Sequence, residues 1–334
     1  MSRPACLLAL LAAGLASRVT AADAESGFQW VDRPEQGTAD LLFNGQPALR
    51  YMYAFDRSSP RRTEETYRVF HHVFGPGTGE LITKGAGGYE PHHRGLFVGW
   101  RDTEVAGKTI NTWARSNGAY QRHVRFLEQK ADSKSGSMTS EISWNDAHDQ
   151  PFLDEIRAVR VENIGPSGGS PVWQIDWTST LTSRRGEIKL RGDRQHAGFQ
   201  FRAAQEVADK KSATYIRPKG FPQGPEPYEV DDRKNPDRHV NLGWFAMLYE
   251  VKGTRYTVAY FEDPALPKPS MFSERPYGRF GAYFKATVTP DKPLMMRYRL
   301  IVTAGQAPGR DAIQAQYDRF VADCARLPNH DEPQ

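Results

Sequence analysis

Cysteine is nearly absent from this sequence: the 334-residue chain holds only Cys6 and Cys324. One thiol closes no intramolecular disulfide, so once an N-terminal signal carrying Cys6 is removed the fold must be held by buried apolar surface. Long apolar runs are missing as well. The run from Cys6 to Ala16 is too short for a membrane helix, which needs about 20 such residues. Followed by Val19-Thr20-Ala21-Ala22, it reads as a secretory signal over residues 1–22, cut near Ala21 or Ala22. The expectation is a periplasmic or secreted protein with no membrane span after cleavage. There is no basic block either. The 44 Lys+Arg stand against 40 Asp+Glu, a formal net charge of +4 spread along the chain, which gives no electrostatic reason for a nucleic-acid partner. With 39% hydrophobic and 25% charged residues, the composition excludes wholesale disorder, collagen and a disulfide-rich miniprotein.

Motifs of several enzyme classes are also missing. No phosphate loop and no G-x-G-x-x-G ahead of a helix is present, which lowers nucleotide-binding and dehydrogenase readings. No H-x-H, H-E-x-x-H or paired cysteines mark a metal site. His71-His72, His92-His93, His123, His196 and His239 leave a divalent metal site built from remote pieces open, while no cofactor is required.

What the chain does have is short alternation of polar and apolar residues, the period of a strand with one wet face. Asp40–Phe43 and Ala48–Tyr53 flank Asn44-Gly45, the dipeptide of a two-residue type I′ hairpin. Trp244–Val251 and Tyr256–Phe261 flank Lys252-Gly253-Thr254 as a second hairpin, and Phe280–Val288 with Leu294–Val302 suggests a third. One helical stripe stands out, Ile313, Tyr317, Phe320, Val321 and Cys324. Lys219–Asp237, rich in proline and charge, reads as a long surface loop. The expected architecture is all-β: a large antiparallel sandwich over residues 28–326 as a single domain, one C-terminal helix and a flexible tail, 327–334.

The chemistry-bearing residues fall in two blocks. The first is Gly87-Gly88-Tyr89-Glu90-Pro91-His92-His93-Arg94-Gly95-Leu96-Phe97-Val98-Gly99-Trp100. Neighbouring side chains of an extended chain face opposite ways, so His92 and His93 serve one centre only if the backbone turns, as Pro91 allows. The bland alternative makes one imidazole a core residue and leaves the other exposed. The second block is Asp193-Arg194-Gln195-His196-Ala197-Gly198-Phe199-Gln200-Phe201-Arg202, where alternation puts Gln200 and Arg202 on one polar face with His196. Trp113, Arg217, Arg275 and Tyr277 gather around these blocks without a fixed motif. Rings beside charged groups suit sugars, because a ring covers the apolar face of the sugar while charges take its hydroxyls, though aromatic residues also fill sandwich cores.

Together with Ser273-Glu274-Arg275-Pro276-Tyr277-Gly278-Arg279-Phe280-Gly281, Thr214–Pro218 and Tyr298–Leu300, the blocks resemble the exported PmoA-like proteins, a family of unknown function, from about residue 40 to 305. That label borrows the name of a methane monooxygenase subunit, an activity that does not suit a chain without apolar spans. The resemblance implies a secreted sandwich of the galactose-mutarotase-like supersandwich kind, with a sugar in a groove on a concave sheet. The leading functional expectation is a carbohydrate-active enzyme, a glycan hydrolase, lyase or epimerase, acting on an oligosaccharide or glycoside. In it His93 and His196 share acid and base duties and Glu155 is the carboxylate helper. His92, Arg94, Trp100, Trp113, Gln200, Arg202, Arg217, Arg275 and Tyr277 bind an acidic or hydroxyl-rich substrate. The alternatives are a non-catalytic glycan-binding module and, third, a metal-dependent oxygenase.

Overall fold

In a computed structural model of the chain, residues 26–221 and 239–327 are described. The signal at 1–22, most of the Lys219–Asp237 loop and the tail beyond Leu327 lie outside the described residues. Two eight-stranded antiparallel sheets make up most of the molecule. The first orders its strands Phe28–Arg33, Thr38–Phe43, Gln46–Met52, Phe70–Val73, Leu96–Trp100, Ala197–Arg202, Arg279–Tyr283 and Met271–Arg275. The second orders Thr214–Ile216, Trp244–Val251, Thr254–Glu262, Leu294–Ala304, Trp173–Ser183, Pro151–Asn163, Ser135–Asn145 and Tyr120–Ala131. A four-stranded sheet of Ala286–Val288, Ile188–Arg191, Asp102–Val105 and Lys108–Ile110 completes the β structure.

The pleat decides what each strand contributes. Leu96, Val98 and Trp100 of the first sheet, with Phe199, Phe201, Phe280 and Ala282, share one apolar cluster with Met138, Trp144, Trp177, Met247, Tyr260 and Leu300 of the second. Phe97 lies one residue out of phase, and it belongs to a separate cluster with Phe70 and Trp113 on the opposite face of the first sheet. The terminal helix, Arg310–Cys324, closes the far side. Its Ile313, Phe320 and Cys324 pack on Trp244, Ala246, Phe261 and Ile301, the outward-facing residues of the second sheet. Cys324 is thus a buried small hydrophobe. The helix covers one outer face, and the outer face of the first sheet is left for loops and polar side chains.

Turn chemistry sets the register of the hairpins. Asn44 and Gly45 take φ of 49° and 77°, and Lys252 and Gly253 take 48° and 81°, the paired positive values that type I′ turns require. The third hairpin does not form. Arg279–Tyr283 pairs within the first sheet, Ala286–Val288 within the small sheet, and Leu294–Ala304 within the second, so a single alternating run is divided among three sheets. Two short helices, Pro60–Thr66 and Gln205–Lys210, join the terminal one. The edge strand Tyr120–Ala131 has register shifts between His123 and Arg125 and between Phe126 and Glu128, where Val124 and Leu127 are the extra residues.

Candidate functional site

Three remote segments meet over the outer face of the first sheet. The chain from Lys84 to Gly95 supplies the first, and it does turn at Pro91: the His93 amide donates to the Glu90 carbonyl at 3.0 Å, and Glu90 holds φ of 51°. Both imidazoles therefore come to one side, with ring centroids 4.2 Å apart. The second segment brings Trp113. Its neighbour Thr112 crosses the sheet at Gly99, where a Cβ would lie 2.4 Å from the Thr112 carbonyl oxygen, so only glycine admits the crossing. The third segment is the turn Asp193–His196, closed by the His196 amide donating to the Asp193 carbonyl at 3.0 Å. Trp113 is the hub. Its ring lies 6.4 Å from His92, 5.4 Å from His93 and 6.3 Å from His196. Tyr277, in the turn between two strands of the same sheet, stacks at 6.3 Å on His93 and meets the half-exposed Tyr89 at 5.2 Å.

Guanidinium and ammonium groups fix these loops through backbone carbonyls. Arg68 donates to the carbonyls of His92 at 3.3 Å, Thr112 at 2.5 Å and Trp113. Arg94 donates to those of Pro91, Glu65 and Glu64 at 3.1, 2.9 and 2.6 Å and lies over the Tyr67 ring. Lys84 caps the glycine-rich stretch by donating to the carbonyls of Gly85, Gly87 and Glu90. Arg202 donates to those of Tyr277 and Tyr89 and lies 4.7 Å over the Tyr277 ring. Each of these bonds joins a charged donor to a neutral acceptor, which is stronger than a neutral pair and holds the loops without neutralising the charge.

Electrostatics then assigns the protonation states. Burial first, and the nearby charges of Arg68, His196, Arg94 and Lys84 after it, push the His92 imidazole down to about 3. Burial, His92, Arg279, Arg202 and Arg68 hold His93 well below its ordinary value, so both rings are neutral at neutral pH. At Asp193 burial works upward, but the His196 hydrogen bond and charge, the Gln195 amide and Arg101 outweigh it and hold the carboxyl at about 2. Asp193 is thus ionised and can only accept. His196 Nδ1, 2.9 and 3.0 Å from its two oxygens, must be the donor, so in the neutral ring the lone pair lies on Nε2.

Several expected site residues stand elsewhere. Glu155 is fully buried between the sheets and accepts from Trp144 Nε1 at 2.9 Å, Arg157 at 2.7 and 2.9 Å and Ser179 at 2.8 Å. It is a core ion pair, because the pleat points it inward. Trp100 faces the same core and donates to the Phe284 carbonyl. Arg94 is on the site but its guanidinium is bonded to three carbonyls and fully buried, so it positions the loop and does not grip a ligand. His93 is 3% exposed and serves as a buried partner of His92. Gln200 lies on the predicted face, accepting from Arg279 at 3.1 Å and donating to the Ala197 carbonyl at 3.0 Å. Arg217 pairs with Glu274, whose carbonyl accepts from Arg275 at 2.6 Å, with His239 alongside, a cluster separate from the three imidazoles. Among the described residues, no three His, Cys, Asp or Glu side chains gather as metal ligands. The remaining candidate histidines disperse: His71 faces the core and His72 the outer face, while His123 packs on Tyr53 and Phe126. Sequence reasoning missed Arg68, Lys84 and Tyr89, and it left Asp193 without a role although its spacing to His196 is that of one turn.

A family of unknown function, DUF6807, matches residues 38–318. The chain belongs to that family. The finding corrects the resemblance to exported PmoA-like proteins, since the blocks at 92–100, 193–202 and 273–281 all lie inside the DUF6807 match. No curated protein matches the chain. Among solved structures, a GH36 α-galactosidase AgaA from Geobacillus stearothermophilus is similar at 10% identity, covering 85% of this chain and 40% of its own, with a TM-score of 0.33. A doubly substituted form of the same enzyme in complex with raffinose is similar at 9% identity, covering 84% and 40%, with a TM-score of 0.31. The chain thus spans less than half of those structures, and likeness so remote carries no argument about activity.

Proposed function

We propose that the outer face of the first sheet is a carbohydrate site and that His196, oriented by Asp193, is its general base. One observation carries the reading: two segments distant in sequence bring three imidazoles to a tryptophan supplied by a third, and two tyrosine rings lie beside them. The half-exposed Tyr89, with Tyr277, offers a face for the apolar side of a sugar ring. His196 Nε2, its lone pair set by the Asp193 hydrogen bond, takes a proton from a sugar hydroxyl or carbon. The neutral His92, its ring 6.4 Å from Trp113, is the second proton-handling group. This arrangement favours lyase or epimerase chemistry over hydrolysis. A hydrolase needs two acting carboxylates, and here Asp193 is engaged by His196 and Arg101, leaving Glu90 beside His92. We place this activity in the periplasm or outside the cell, on the strength of the signal pattern at 1–22.

The rigid stitching of the loops to carbonyls favours a second reading, a glycan-binding module with no turnover, since a binder needs only a fixed aromatic surface. His196→Ala and Asp193→Asn separate the two on an oligosaccharide panel. Retained affinity with turnover lost in both variants supports the enzyme. Binding without turnover by the parent protein supports the module, and absence of sugar binding by the parent overturns both.

A further inference from the structure

The outer face of the first sheet holds more buried positive charge than its carboxylates neutralise. Arg202 and Arg279 are direct cross-strand partners, a like-charge juxtaposition that destabilises a sheet unless something negative compensates it. Arg202 meets carbonyls, and Arg279 meets the Gln200 amide oxygen at 3.1 Å and the Ser273 hydroxyl at 2.9 Å. Among the described residues Arg68 and Lys84 likewise donate only to carbonyls, Arg68 lying also over the Tyr67 and Phe97 rings. The Nε atoms of Arg68, Arg202 and Arg279 and both ring nitrogens of the buried His93 have no hydrogen-bond partner there. The nearby carboxylates are committed or peripheral: Glu64 lies 3.6 Å from Arg94 and is half exposed, Glu90 lies 3.7 Å from His92, and Asp193 bridges Arg101 and His196. The mutual repulsion registers on the groups themselves. Burial first, then Arg202 and Arg94, brings Lys84 down to about 8 against the opposing charge of Glu90, and burial, with Arg279, brings Arg202 to about 10 against the opposing Tyr277 and Glu90.

Resting on the carbohydrate reading above, we propose that the site selects acidic carbohydrate, drawing a sugar carboxylate or sulfate to the partly exposed rim of Tyr89, His92, His196 and Tyr277. Buried charge without a counter-ion, in low-dielectric surroundings, focuses positive potential at the adjoining opening, so an anionic sugar gains what a neutral one of equal shape does not. The ligand need not touch the guanidinium groups, which already donate to backbone carbonyls or, for Arg279, to Gln200 and Ser273.

Titration calorimetry on the full chain tests this with a uronate oligosaccharide, its methyl ester, a sulfated oligosaccharide and a neutral one of equal length. The acid is expected to bind about tenfold more tightly than its ester, and to weaken several-fold between about 50 and about 300 mM salt while the ester does not. Preference for the uronate over the sulfated sugar identifies carboxylate as the source of the charge, and the reverse identifies sulfate. Lys84→Met is expected to lower the acid-to-ester ratio several-fold, with Arg202→Gln as the substitute if that variant does not fold. Equal affinity for acid and ester overturns the proposal and leaves the carbohydrate reading standing. Binding of no sugar overturns both.

Discussion

His71→Phe should make the protein more stable and less sensitive to acid. His71 is fully buried, stacked at 4.7 Å on Tyr51 and set edge-on at 5.1 Å to Trp177, and neither ring nitrogen has a hydrogen-bond partner among the described residues. Burial, with the charges of Arg157 and His72, holds its folded-state value well below 6.5. Between that value and the unfolded one, the unfolded chain binds a proton that the folded chain refuses, so stability is complete above the unfolded value and falls as the pH drops through it. From the plateau to pH 5 one such histidine costs about 2 kcal/mol. His93 behaves alike, so the two together remove about 4 kcal/mol from a typical 5–15 kcal/mol. Phenylalanine has the shape to fill the slot and no polar atom to leave unpaired, a gain of about 1 kcal/mol at neutral pH. Urea denaturation of parent and variant at pH 7.5 and pH 5 measures both effects. The other buried histidines cancel in the difference. A variant that loses as much stability as the parent between those pH values would refute the reasoning.

Glu155→Gln leaves the fully buried Arg157 without its counter-charge and should cost about 3–5 kcal/mol, read from the urea midpoint, while the folded fraction binds sugar as before. Lost binding by folded protein would return Glu155 to the site. Gly198→Ala places a Cβ 1.9 Å from the Ala282 carbonyl oxygen at a φ of +84°, and should destabilise by about 3 kcal/mol or more, or abolish soluble expression. Tyr89→Ala should weaken sugar binding about fivefold in calorimetry and leave the thermal midpoint unchanged, since the ring is half exposed.

The parts of the fold legible in the sequence are those written locally. Asn44-Gly45 and Lys252-Gly253 carry their hairpins in two residues, and the stripe from Ile313 to Cys324 marks the terminal helix. The division of 279–304 among three sheets was not legible, because alternation reports that a residue is in a strand and not which neighbour it pairs with. Helix Pro60–Thr66 has no apolar stripe; its signal is Ser59 capping ahead of Pro60, with the Ser59 hydroxyl accepting from the Arg62 amide. At the site, the histidine blocks were legible as polar residues in apolar settings. Glu155 was misread for the same reason: a buried carboxylate looks functional until its partner Arg157, two residues on and on the same face, is seen beside it. The role of Arg94 was hidden too, since backbone carbonyls leave no mark in a sequence. No pattern of residue types reveals that a cation is already satisfied.

The two extra residues in the long edge strand Tyr120–Ala131 bear on how the protein behaves in company. Val124 and Leu127 are 51% and 44% exposed, and such side chains on a straight rim would invite a second molecule to add its own strand. Both sit at the points where the ladder spacing breaks, so a visiting strand finds no unbroken row of donors and acceptors to match. Concentrated solutions should therefore stay dispersed, and a substitution that straightened this rim would lead to sheet-by-sheet polymerisation.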